Sequence, residues 1–198
     1  MMKNFAGVRI VLAVMATAIT SLSLVAPVHA AAATAERSNY STGEAQRPVE
    51  RFTIKVAGVT FPAAQTRELW AACGTNDDPG KLVRSFDRVA GPFGPKSDLL
   101  CGTAGFGYRH IKDRHMTQWQ TLAGMVGSNW RDFADFAIAQ ILKAPEPGSP
   151  TFDQARNTWT YRSPVQIIDQ NGVVRDTYRP FVIVAHQDTK IITAYPAR

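Results

Sequence analysis

Past residue 30 the sequence has no apolar run long enough to cross a bilayer, so no membrane span is expected in the body of the chain. It has two cysteines, Cys73 and Cys101, too few for a disulfide-dense scaffold and too far apart for a redox pair. There is no Gly-x-Ser-x-Gly turn, which removes the usual serine-hydrolase elbow. Histidine is scarce, and the two histidines nearest in sequence, His110 and His115, stand five apart. A zinc pair on a helix uses a spacing of four, and no third ligand is in sight, so no metal site and no cofactor is expected. No internal repeat is present.

Charge is present but modest. The 198 residues carry a net charge of +6. Lys3 and Arg9, the only charges in the first 30 residues, open a stretch that runs apolar or small from Ile10 to Val25. Val28-His29-Ala30 then offers small residues, Val28 and Ala30, at the positions flanking a cleavage. Residues 1–30 therefore read as a secretory signal peptide, which predicts an extracellular or periplasmic protein with no stable membrane association after cleavage. Without Lys3 and Arg9 the charge falls from +6 to +4. That balance permits attraction to a polyanion such as RNA without requiring it. In an oxidising compartment an even cysteine count predicts a Cys73–Cys101 bridge.

Residues 31–50 are small and polar and read as a flexible lead. In 51–61, Phe52, Ile54 and Val56 alternate with Thr53 and Lys55, as in a strand that Pro62 ends. Thr66 to Cys73 reads as a short helix. Asn76 to Gly80 and Gly91 to Pro95 read as breaks. Residues 51–104 are thus expected to be a disulfide-stapled N-terminal segment. Tyr108 to Gln120 reads as a helix, broken by Gly124 and Gly127. Asn129 can cap a second helix whose stripe is Trp130, Phe133, Ala134, Ala137, Ile138 and Ile141. Thr158 to Ile168 reads as a strand, Asn171 and Gly172 as a hairpin turn, and Phe181 to Ala185 and Lys190 to Tyr195 as closing strands around a turn at 186–189. The expected fold class is α+β, with N-terminal helices packed on a C-terminal antiparallel sheet.

Chemistry concentrates in two places. His110 and His115 lie among Arg109, Lys112, Asp113 and Arg114. Histidine titrates near neutral pH, and Asp113, three residues past His110, is placed to orient its ring. Five residues turn a helix by about 140°, which predicts that His115 points away from the face of His110. On the last strand Thr193 and Tyr195 are two apart and share a face. An acid, a base and fixed donors suit metal-free RNA cleavage, in which the 2′-hydroxyl attacks the adjacent phosphate.

The run His110-Ile-Lys-Asp-Arg-His115, a following helix and the ending Thr193-Ala-Tyr195-Pro196 together resemble the ribonuclease A-like toxin domain of bacterial contact-dependent inhibition proteins and other polymorphic toxins. The resemblance covers about 105–198. It implies a small kidney-shaped α+β ribonuclease domain with His110, Thr193 and Tyr195 as site residues, RNA as substrate, and an immunity or inhibitor protein as a further partner. The family's arginine falls roughly ten residues past the first histidine, where this sequence reads Gln120-Thr121-Leu122. Arg131, Arg109 and Arg114 are the candidates for its role, with His115 and Asp113 secondary. A second reading is a secreted, non-catalytic binding or inhibitor module anchored through Trp70, Trp119, Trp130 or Trp159.

Overall fold

The computed structural model describes residues 51–63, 70–89 and 94–198. The expected signal peptide (1–30) and expected flexible lead (31–50), most of the expected 66–73 helix and part of the expected 91–95 break lie outside the described residues. Trp70 to Cys73, the described end of that helix, has no regular secondary structure.

The described residues open with strands. In β1 (Thr53–Val56) the expected alternation holds, with Ile54 and Val56 fully buried. Ala57 and Gly58, both at positive φ, turn it tightly into β2 (Val59–Thr60). β3 (Leu82–Asp87) and β4 (Lys96–Leu100) form a separate antiparallel ribbon. Two helices follow, α1 (Gly107–Gly124) and α2 (Trp130–Lys143). Asn129 caps α2, its side-chain oxygen accepting from the backbone N–H groups of Arg131 and Asp132 at 3.0 and 3.1 Å. The apolar stripe of α2 is buried as its spacing predicts. Six strands close the chain: β5 (Thr151–Asp153), β6 (Thr158–Tyr161), β7 (Val165–Ile168), β8 (Val174–Tyr178), β9 (Phe181–Ala185) and β10 (Ile191–Tyr195).

The expected arrangement, N-terminal helices on a C-terminal sheet, is overturned. Among the described residues ten strands pair antiparallel in three sheets, and the two helices lie in the middle of the chain. The sheet orders are β2-β1-β7-β8, β10-β9-β6-β5 and β3-β4. The first strand completes a sheet with strands from the far end: Ile54 pairs with Ile167 and Val56 with Val165, and all four side chains are buried. The described residues form one compact unit. The long strand expected over 158–168 is two strands in two sheets. Pro164 has no N–H for a ladder. Arg162 sends its backbone elsewhere: its N–H donates to Ser149 Oγ at 2.8 Å and its carbonyl accepts from Glu146 N–H at 2.8 Å. That corner leaves the Arg162 side chain next to β9.

The disulfide is present. Cys73 and Cys101 are joined across 28 residues with a Cα–Cα distance of 5.6 Å. It pins the turn that launches α1. Two glycines make that turn possible. A Cβ on Gly102, at φ +67, would collide with the Phe106 carbonyl, and one on Gly107, at φ +77, would come within 2.6 Å of the Leu100 carbonyl oxygen.

Candidate active site

The inner stripe of α1 consists of Ile111, Trp119, Leu122 and Ala123, all buried, and His115 falls on it one turn after Ile111 and one turn before Trp119. Trp119 donates through Nε1 to the Ala194 carbonyl at 3.0 Å. α1 therefore lies along the free edge of β10, the outermost strand of its sheet, and covers the unpaired edge. This contact carries His115 onto Tyr195, where the rings stack with centroids 4.8 Å apart and planes 24° from parallel.

On β10 a bulge sets the facing. The register shifts between Ile191 and Thr193: Ile191 pairs with Val184, Thr193 with Ile183 and Tyr195 with Phe181. One extra residue moves Thr193 and Tyr195 to the face opposite the buried Val182 and Val184. There Tyr195 stacks on Phe181 at 5.2 Å, and the Arg162 guanidinium lies over the Phe181 ring at 4.4 Å. One row, His115, Tyr195, Phe181, Arg162, thus crosses α1, β10, β9 and the end of β6. Both faces of Tyr195 are covered by rings, so it presents its hydroxyl edge and not a stacking surface.

His110 joins the row from its other end. Its ring meets that of His115 edge-on at 5.4 Å. Nδ1 lies 2.7 Å from the Ala104 carbonyl oxygen. A carbonyl only accepts, so Nδ1 carries the proton and Nε2 is left to exchange one. Ala104 sits in the turn that the disulfide and Arg109 hold. Among the described residues no hydrogen bond or ion pair joins Asp113 to His110, whose ring is held by the Ala104 carbonyl. His115 has Gln118 Oε1 at 2.9 Å from its own Nδ1. Partial burial holds the His115 imidazole below its usual value, and the nearby charges of His110 and Arg114 push the same way against the bond to Gln118. A proton on His110 therefore opposes a second one on His115.

The five-residue spacing was expected to turn His115 away, and the structure brings the rings together. His110 is anchored by a turn that precedes the helix, so helical angle alone does not fix its ring. Thr193 is 8% exposed, and its Oγ1 is enclosed without a hydrogen-bond partner among the described residues. Arg162 Nε is likewise enclosed without a partner.

Two of the sequence-predicted cations, Arg109 and Arg131, are occupied elsewhere. Arg109 donates to the carbonyls of Gly102 at 2.7 Å, Gly74 at 2.6 Å and Asp77 at 2.7 Å, which ties the 74–77 loop to the start of α1. Arg131 donates to the Tyr108 hydroxyl and lies over the Tyr108 and Trp130 rings. Tyr108 is two residues from His110, about 200° round the helix. Arg114, exposed and one turn past His110, shares its helix face. Phe181 and Arg162 were not legible as site residues. Among the described residues no cluster of three or more metal-ligating side chains occurs, and no helix is long and apolar enough to cross a membrane.

No protein-family model matches the chain, and no solved structure matches it. It is similar to two curated proteins of Mycobacterium tuberculosis, one from strain CDC 1551 / Oshkosh and one from strain ATCC 25618 / H37Rv, each described as an uncharacterized protein. Both are 34% identical over 149 residues, a match that covers 70% of this chain and 53% of theirs. The chain spans about half the length of the curated relatives it matches.

Proposed function

We propose that the protein is a secreted, toxin-like endoribonuclease that needs no metal and cleaves RNA by attack of a 2′-hydroxyl on the adjacent phosphate. The observation that carries the reading is the contact of two imidazoles with a phenol, His110 to His115 at 5.4 Å and His115 to Tyr195 at 4.8 Å. Transphosphorylation needs a base for the 2′-hydroxyl proton, an acid for the departing 5′-oxygen and donors for the charged phosphorane. His115, disfavoured as the cation by burial, is the base. His110, its Nδ1–H fixed on Ala104, delivers the proton through Nε2. The Tyr195 hydroxyl donates to a non-bridging oxygen. Thr193 supplies a second donor, and a neighbouring side chain has to shift for a phosphate to reach it. Arg114 supplies positive charge on the helix face of His110. The likeness of these segments to the ribonuclease A-like toxin domain supports the same chemistry.

The test is incubation of the oxidised protein with total RNA in EDTA, beside His110→Ala and His115→Ala. Cleavage that survives EDTA, leaves 2′,3′-cyclic phosphate ends and is lost in both variants is the expected result. Strict dependence on added Mg²⁺ overturns the reading.

A further inference from the structure

Arg162 is the most conspicuous group that this mechanism leaves unused. Its backbone is held on both sides by Ser149 and Glu146, and its guanidinium rests on Phe181. Among the described residues it has no carboxylate partner, and its Nε is enclosed and unpaired. Neighbouring cations differ. Arg179 is paired with Glu146 at 3.2 Å and Arg198 with Asp176 at 3.0 Å. An arginine stacked on an aromatic ring with its donors uncommitted is prepared for a planar or phosphate oxygen pair.

Its distance from the histidines decides which phosphate. The row His115, Tyr195, Phe181, Arg162 crosses successive elements of one sheet, and its steps of 4.8, 5.2 and 4.4 Å match the spacing between strands. Three steps at the strand spacing of ~4.8 Å place the Arg162 guanidinium about 14 Å from His115. A phosphate in hydrogen-bond contact with His115 is out of reach of Arg162. Successive phosphates of one strand stand about 3.4 Å apart along a stacked helix and roughly twice that in a drawn-out strand. A second phosphate of a drawn-out strand, one or two nucleotides from the first, reaches Arg162.

We propose that Arg162, stacked on Phe181, is a binding subsite for a phosphate that flanks the scissile one, so that the natural ligand is a single-stranded oligonucleotide of several residues and not a dinucleotide. This inference rests on the ribonuclease reading for the place of the scissile phosphate. It does not require turnover for its test. The probes are fluorescein-labelled, single-stranded 2′-deoxy oligonucleotides, which lack the attacking hydroxyl: a hexamer, and a dinucleotide with one phosphodiester and no terminal phosphate. Hexamer affinity is read by anisotropy across salt concentrations, and dinucleotide affinity by the shift of the His115 ring protons. Arg162→Gln is expected to weaken the hexamer about ten-fold and to lower its salt slope by about 0.7, the value of one phosphate contact on a single strand. Arg162→Lys is expected to keep the slope, and the dinucleotide to bind Arg162→Gln and the parent equally. If Arg162→Gln does not fold, Arg162→Met, which keeps the stem over Phe181, takes its place. An unchanged hexamer slope overturns the subsite. An equal loss for both probes overturns its flanking position, since Arg162 then touches the central phosphate. A protein that binds the hexamer through Arg162 yet leaves RNA intact refutes the ribonuclease reading and not the subsite.

Discussion

Thr193→Val is the most discriminating single change that the site offers, because stability and activity are expected to move in opposite directions. Thr193 is 8% exposed, and its Oγ1 is enclosed without a partner. An unsatisfied buried hydroxyl costs about 1–3 kcal/mol. Valine keeps the shape and removes the cost, so a gain of about 1–2 kcal/mol is expected. In a domain of this size each kcal/mol moves the melting midpoint by about 2–4 °C. Thermal unfolding should therefore rise by about 2–8 °C. Cleavage of RNA should fall by about 10²–10³, the usual loss for one positioned donor. Thr193→Ser provides the counterpart: it keeps the hydroxyl, gives up a buried methyl group and should lose stability while retaining most activity. A valine variant that melts lower than the parent refutes the reasoning, since the hydroxyl must then be hydrogen-bonded in the folded protein. A valine variant with parental turnover refutes the role of Thr193 as a donor.

Three further outcomes follow from the same geometry. His110→Ala and His115→Ala should each lower turnover by about 10²–10⁴, and the double variant should fall little further, because acid and base act as a unit; initial rates on a fluorogenic RNA decide it, and an active His115→Ala removes the base. Because burial holds His115 below its usual value of 6.5, the acid limb of the rate profile should lie below pH 6.5. The unfolded chain also binds this proton more readily than the folded one, so stability should decline as pH drops from 6.5 through the folded value, and His115→Gln should flatten that decline in urea titrations. Reduction of the Cys73–Cys101 bridge, which closes a loop of 28 residues, should cost about 3–4 kcal/mol in a urea titration. It should also broaden the His110 ring resonances, since the bridge steadies the turn that carries Ala104.

Local pattern and long-range pairing differ sharply in what the sequence reveals. Asn129 before Trp130 and the stripe to Ile141 specify α2 by contacts within four residues, and that helix forms where its spacing puts it. The alternation of Ile54 and Val56 specifies a strand but not its partner, and the partner is β7, more than a hundred residues on. Without that pairing a strand–helix–strand order looks like helices laid on a terminal sheet. β5 (Thr151–Asp153) leaves no mark in the sequence, because three residues carry too little periodicity. Pro164 could have divided the 158–168 run, since a residue without an N–H ends a ladder; the β-branched content of the run hid it.

Within the site the chemical identities of the residues were legible and their mutual placement was not. His110, Thr193 and Tyr195 are visible as residue types that move protons or hold phosphate. Helical angle turns His115 away from His110, yet the sequence holds the opposite signal: Ile111, His115, Trp119 and Leu122 lie on one stripe, and a polar residue inside an apolar stripe points at whatever the helix packs against. Here that is the edge of β10. The bulge after Ile191 is invisible in Ile-Ile-Thr-Ala-Tyr, because Thr193 and Tyr195 share a face with or without it; what the bulge changes is which face. Arg162 is the harder case. It follows a strand, precedes Ser163 and Pro164, and has no motif around it. Its place is fixed only by the register that sets β6 beside β9 and Phe181 beside Tyr195. Residue types with proton-transfer chemistry can be recognised in a sequence, whereas the seat of Arg162 on Phe181 is visible only once the sheet is formed.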